Sequence, residues 1–157
     1  MASYEIKKET PANINQLKIM ASDGSSWRER LKAVEELKFY DCQQSRDILT
    51  RLAIHDIVFK VKEAAFRAAQ ALGVTKGGKP LRLNKKPKGN LVKGISGTLT
   101  KVANRLDEGY SLAEFKSRFA ELYPKIYDAY EGDKGRGFDS WLQRMITSLP
   151  KSKNTQA

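Results

Sequence analysis

The fold turns on residues 55–73, "HDIVFKVKEAAFRAAQALG". Asp56 stands where a helix N-cap belongs, a long alanine-rich run follows, and Gly73 closes it. A segment of that length, without alternation and with a glycine at its end, predicts an α-helix. Upstream, "QSRDILTRLAIHD" (44–56) spaces Ile48 and Leu52 at helical distance. "SSWRERLKAVEELKFY" (25–40) begins with a capping-box pair, Ser26 and Glu29, and puts Trp27, Leu31, Val34 and Leu37 on one stripe. "TPANINQLKIMAS" (10–22) has Thr10 as cap, Pro11 at the first helical position, and Ile14, Leu17 and Met20 at three-residue steps.

The helices repeat weakly. Shifted by 34 residues, Trp27-Arg28-Glu29 falls on Val61-Lys62-Glu63, Leu31 on Ala65, Val34 on Ala68 and Leu37 on Ala71. A period of that size describes stacked helix pairs. Asp56, Val61-Lys62, Ala64, Ala65, Ala68 and Ala71-Leu72-Gly73 together resemble the second helix of a HEAT repeat, with residues 27–37 a poorer copy. The resemblance covers roughly residues 10–74. It implies an α-helical stack used for binding, with a protein partner as one possible occupant of its surface.

Downstream the periodicity is again helical. "LVKGISGTLTKVANRLDEG" (91–109) aligns Leu91, Ile95, Leu99, Val102 and Leu106 and stops at Gly109. A second capping box, Ser111 with Glu114, opens residues 110–132, which Pro124 should divide, leaving a second piece over 125–131. "GDKGRG" (132–137) reads as a turn, and "FDSWLQRMITSLP" (138–150) as a last helix. The prediction is therefore all-α, with six to eight helices. Residues 1–75 form a HEAT-like stack of helical hairpins and 76–90 a basic Gly/Pro/Lys linker. Residues 91–150 form a small C-terminal helical bundle and 151–157 a disordered tail. Trp27, Trp141 and the row Phe115, Phe119, Tyr123, Tyr127 and Tyr130 are assigned to cores rather than to a ligand.

Charge is segregated. The net charge is +11 and the pI about 9.8. Residues 64–106 contain no Asp or Glu, yet hold Arg67, Lys76, Lys79, Arg82, Lys85, Lys86, Lys88, Lys93, Lys101 and Arg105. The rest of the chain is nearly neutral, so the excess cation belongs to the middle. Acidic partners follow from it.

Catalytic signatures are lacking. His55 is the only histidine and Cys42 the only cysteine, which excludes a multi-histidine metal site, a zinc finger and an internal disulfide. "KGGK" (76–79) has neither the spacing of a phosphate loop nor a preceding strand signal. A helix-turn-helix over 105–119 would start its recognition helix with Leu-Ala-Glu-Phe, acidic and apolar where base contacts are needed. No apolar run approaches the roughly 20 residues of a membrane span. No signal peptide opens the chain, and a lone cysteine suits a reducing, cytoplasmic setting.

The expectation is a non-enzymatic nucleic-acid-binding protein, without metal or cofactor and without a membrane. It contacts the phosphate backbone of DNA or RNA with little sequence specificity through Lys76, Lys79, Arg82, Lys85, Lys86, Lys88, Lys93, Lys101 and Arg105. Lys93, Gly97, Lys101 and Arg105 recur every four residues, beside Ser96, Thr100 and Asn104. Lys85, Lys86 and Lys88 lead toward a helix N-terminus, where backbone N–H groups and the dipole favour an anion. The alternative is a HEAT-type adaptor that binds protein and no nucleic acid.

Overall fold

The computed structural model describes residues 4–84, 86 and 91–150. It divides into two units, residues 1–86 and 87–157, each with its own core. The first unit holds four α-helices: α1 (Ile14–Ala21), α2 (Trp27–Leu37), α3 (Gln43–His55) and α4 (Phe59–Ala71). The second holds α5 (Ile95–Ala103), α6 (Leu112–Leu122), α7 (Pro124–Lys134) and α8 (Phe138–Thr147). The only strands among the described residues are β1 (Thr75–Lys76) and β2 (Lys79–Pro80). The all-α expectation holds.

In the first unit α1 packs on α2, α2 on α4 and α3 on α4. Leu17, Val34, Leu37, Leu49, Val58 and Val61 are fully buried at the centre. Alanine is what lets α4 sit close to its neighbours: Ala65, Ala68 and Ala69 are buried on one face. Trp27 is 8% exposed and belongs to this core, with Arg28 and Lys60 lying 4.5 and 5.1 Å from its ring centroid. The Ser26 hydroxyl accepts the Glu29 N–H, as a cap should.

Two helix starts differ from expectation. α1 begins at Ile14 behind Asn13, not at Pro11; Pro11 is buried in the preceding turn, where its carbonyl accepts the Ile14 N–H. Asp56 ends α3, and α4 begins only after Val58. The Asp56 carboxylate does hold a backbone donor, the Val58 N–H at 2.9 Å. Its larger task is a forked pair with Arg30, whose Nε and Nη2 donate to the two carboxylate oxygens at 2.8 and 3.2 Å. Both side chains are almost wholly buried, 7% and 2% exposed. Nη1 of Arg30 donates to the Asp23 carbonyl at 2.8 Å. One guanidinium thus ties α2, the loop before it and the α3–α4 corner together.

The second core is aromatic. Pro124 divides the helical run at the predicted place, ending α6 and opening α7 at its first residue. α7 then runs past the predicted stop, through a buried Gly132, and ends at Gly135 (φ 54°). Residues 135–137 form a short 3-10 turn into α8. Ring contacts pass from Tyr110 through Phe115, Phe119 and Tyr127 to Phe138, at centroid spacings of 5.2–6.3 Å. Tyr130 stacks on Trp141 at 4.6 Å and 10°. These rings are core, as expected. Among the described residues no helix is long and apolar enough to cross a membrane.

A buried forked ion pair predicts a cost well above that of a cap. Asp56→Ala leaves the Arg30 charge buried without its main partner and should destabilise the first unit by about 3–5 kcal/mol, against about 1 kcal/mol for a lost cap. Combining it with Arg30→Met should recover part of that loss. Denaturant midpoints of the two single variants and the double variant measure the coupling.

Candidate nucleic-acid interface

The basic segment does not begin as a linker. Gly77 and Gly78, both at positive φ (58° and 78°), make a two-residue turn that matches the twist of a hairpin. Thr75 pairs with Pro80 and Lys76 with Lys79. Val74 and Leu81, on either side, pack against the core of the first unit. Two glycines of the stretch read as a linker thus allow this hairpin.

Lys76 and Lys79 are thus directly opposed across the ladder, a like-charge placement that weakens a sheet. Both are exposed, as are Arg82 and Lys86. Lys76, Lys79 and Arg82 line one groove of about 520 Å3 with Lys62 and Asn84, its apolar wall being Ala53, Ile54, Pro80 and Leu81. No carboxylate lines it. Lys62, on α4, is held half-buried by donating to the Ile54 carbonyl at 3.0 Å. The charge segregation did not single it out, because Glu63 follows it in sequence. Only the fold brings it to the hairpin.

The remaining described cations lie in the second unit. α5 buries Ile95, Leu99 and Val102 and turns Ser96, Gly97 and Lys101 outward. Lys93 precedes the N-cap, so the four-residue ridge read from the sequence is helical only from Gly97 to Lys101. Arg105 follows the C-cap Asn104, still in a turn closed by its N–H on the Val102 carbonyl. Gly94 is the N-cap at φ 78°, a conformation that suits glycine. The first turn of α5 has no acidic residue and its N-cap no side chain to bond the exposed N–H groups, so its dipole is unopposed there. A Cβ on Gly97 would meet nothing within 4 Å. The Thr100 hydroxyl is committed to the Ser96 carbonyl at 2.8 Å.

Tyr130 fixes how the chain enters α5. Its hydroxyl accepts the Val92 N–H at 3.0 Å and donates to the Val92 carbonyl at 3.4 Å. The ring is fully buried, and that burial raises its pKa above the usual tyrosine value. Lys93, the next residue, is therefore anchored from inside the aromatic core.

Lys85 and Lys88 lie outside the described residues. Of the others, Lys76, Lys79, Arg82 and Lys86 belong to the first unit and Lys93, Lys101 and Arg105 to the second. None of Lys76, Lys79, Arg82, Lys93, Lys101 or Arg105 has an ion-pair partner among the described residues. Lys116, by contrast, is paired with Asp139 at 2.8 Å, and this partner raises its pKa. The described residues contain no cluster of three potential metal ligands. His55 is exposed at the last turn of α3, and Cys42 serves as the N-cap of that helix.

Comparison with known proteins adds nothing to this geometry: no family model matches the chain, and neither a curated protein nor a solved structure is detectably similar.

The Tyr130 hydroxyl can be tested alone. Tyr130→Phe keeps the ring but leaves the Val92 N–H without its acceptor, at a cost of about 1–2 kcal/mol near neutral pH. Because burial raises the folded-state pKa, the tyrosine's contribution is complete below about pH 10 and is lost as the pH rises above it. The wild-type protein should therefore lose more stability between pH 8 and 11 than the phenylalanine variant, by urea denaturation at both pH values.

Proposed function

We propose that this protein binds nucleic acid, DNA or RNA, without catalysing a reaction, and that it does so by holding the phosphate backbone. The observation that carries this reading is the state of its cations. Six side chains from the acid-free stretch stand in solvent with no ion-pair partner among the described residues, at the hairpin and around α5. Two of them are even forced into opposition by the ladder. A phosphodiester backbone relieves that repulsion and releases its own counterions. Phosphate contacts carry no base information, so recognition is largely independent of sequence. Neither metal nor cofactor is required, and the cytoplasm is the compartment that fits.

A second reading is a HEAT-type protein adaptor. It rests on the stacked helices α1–α4 and on the likeness of residues 10–74 to HEAT repeats. Binding that persists in high salt with a protein partner, and no affinity for nucleic acid, would favour it.

Salt dependence tests the first reading. Five or so neutralised phosphates give a slope of roughly −4 to −5 for log K against log salt on duplex DNA. Lys93, Lys101 and Arg105, all changed to Gln, should flatten it by about two to three units without altering the melting temperature. The control changes three exposed cations outside the acid-free stretch, Lys125, Arg136 and Arg144. Equal losses from both sets would mean that only net charge matters.

A steric probe needs no change of charge. Gly97→Ala should stabilise α5 by about 0.5–1 kcal/mol, since the new methyl meets open space. If a phosphate backbone docks on Gly97, the same methyl should weaken binding. Titration and thermal melts of the one variant read both effects.

A further inference from the structure

Resting on the nucleic-acid reading above, we infer that the ligand is double-stranded: the two basic surfaces are built for a paired phosphodiester helix and not for an unpaired strand. Single strands are held by stacking their bases on aromatic side chains along a charged groove. Among the described residues no aromatic ring lines the groove by the hairpin, and the rings of the second unit are taken up by its core. In the second unit Tyr110, Phe115, Phe119, Tyr127 and Phe138 pack edge to face or tilted against one another, and Tyr130 lies against Trp141.

The side chains around the cations are of another kind. The groove by the hairpin is walled by Ala53, Ile54, Pro80 and Leu81. The outward part of α5 offers Ser96, Gly97 and Lys101, short groups and a cation. Such surfaces reward charge density and close approach to a backbone, and they give an extruded base nothing to stack on. Duplex phosphates, at one charge per roughly 1.7 Å of axis, supply that density. The wall beside the groove is formed by α3 and the hairpin, and Lys76, Lys79 and Lys101 are carried on strand and helix, a regular framework that suits a regular partner.

The test uses the full chain and fluorescent oligonucleotides of one length, as duplex DNA, duplex RNA and the unpaired strands of each. Counterion release is larger per contact on a duplex, so about six contacts favour duplex DNA by about thirty-fold near 0.05 M salt, the advantage shrinking toward parity as salt approaches about 1 M. Tighter binding to either duplex than to its own strands supports the inference and says which double helix is held. Single strands that bind as well as their duplex, or stay bound near 1 M salt, overturn it while leaving nucleic-acid binding intact. Failure of every oligonucleotide at low salt overturns both. Lys76→Gln with Lys79→Gln and Arg82→Gln, all exposed positions, should lower the duplex slope by about two to three units. An unchanged slope would remove the groove from the contact.

Discussion

Arg30 enters the first unit as a buried cation, and the position of α4 depends on how that charge is answered. Asp56 answers it with both oxygens, and the Asp23 carbonyl accepts from the third nitrogen, Nη1. Because Asp56 sits between α3 and α4, the pair fixes the corner from which α4 sets out. The hairpin follows directly from the far end of that helix, where Gly73 and Val74 leave it. The basic groove is thus downstream, in structure as in sequence, of a single guanidinium. Desolvation offsets much of the attraction in such a buried pair, so losing one partner costs far more than the intact pair contributes.

The second unit is held largely by aromatic packing. Its helices are short, and what joins them is a run of rings whose edges meet faces. Tyr130 contributes a ring to that core and a hydroxyl to the backbone of the segment entering α5. The two units therefore place cations by different means. One uses a hairpin seated on an aliphatic core; the other uses a helix whose entry is hydrogen-bonded to an aromatic one.

Much of this was legible in the sequence. The stripes through Trp27, Val34 and Leu37, and through Ile95, Leu99 and Val102, identify core faces because burial imposes a helical period on apolar residues. Pro124 marks the α6–α7 break because it has no N–H to donate. What was not legible was what depends on partners distant in the chain. Asp56 looks like a cap locally, and nothing nearby reveals an arginine 26 residues earlier. The hairpin was missed because strands of two residues are too short to show alternation, and Gly-Gly signals a turn and a linker alike. Lys62 was missed for a related reason: its acidic neighbour in sequence hides a basic neighbourhood in space.

The opposition of Lys76 and Lys79 has a consequence for covalent modification. An exposed lysine is open to acetylation, which removes its charge. On an ordinary surface that change is nearly neutral for the fold. At this hairpin it would end the repulsion across the ladder and tighten the turn, while withdrawing a cation from the groove. Stability would then rise as the positive charge of the groove falls, both through the same nitrogen atom. The neutral form of either lysine is thus the one that strains the folded hairpin least.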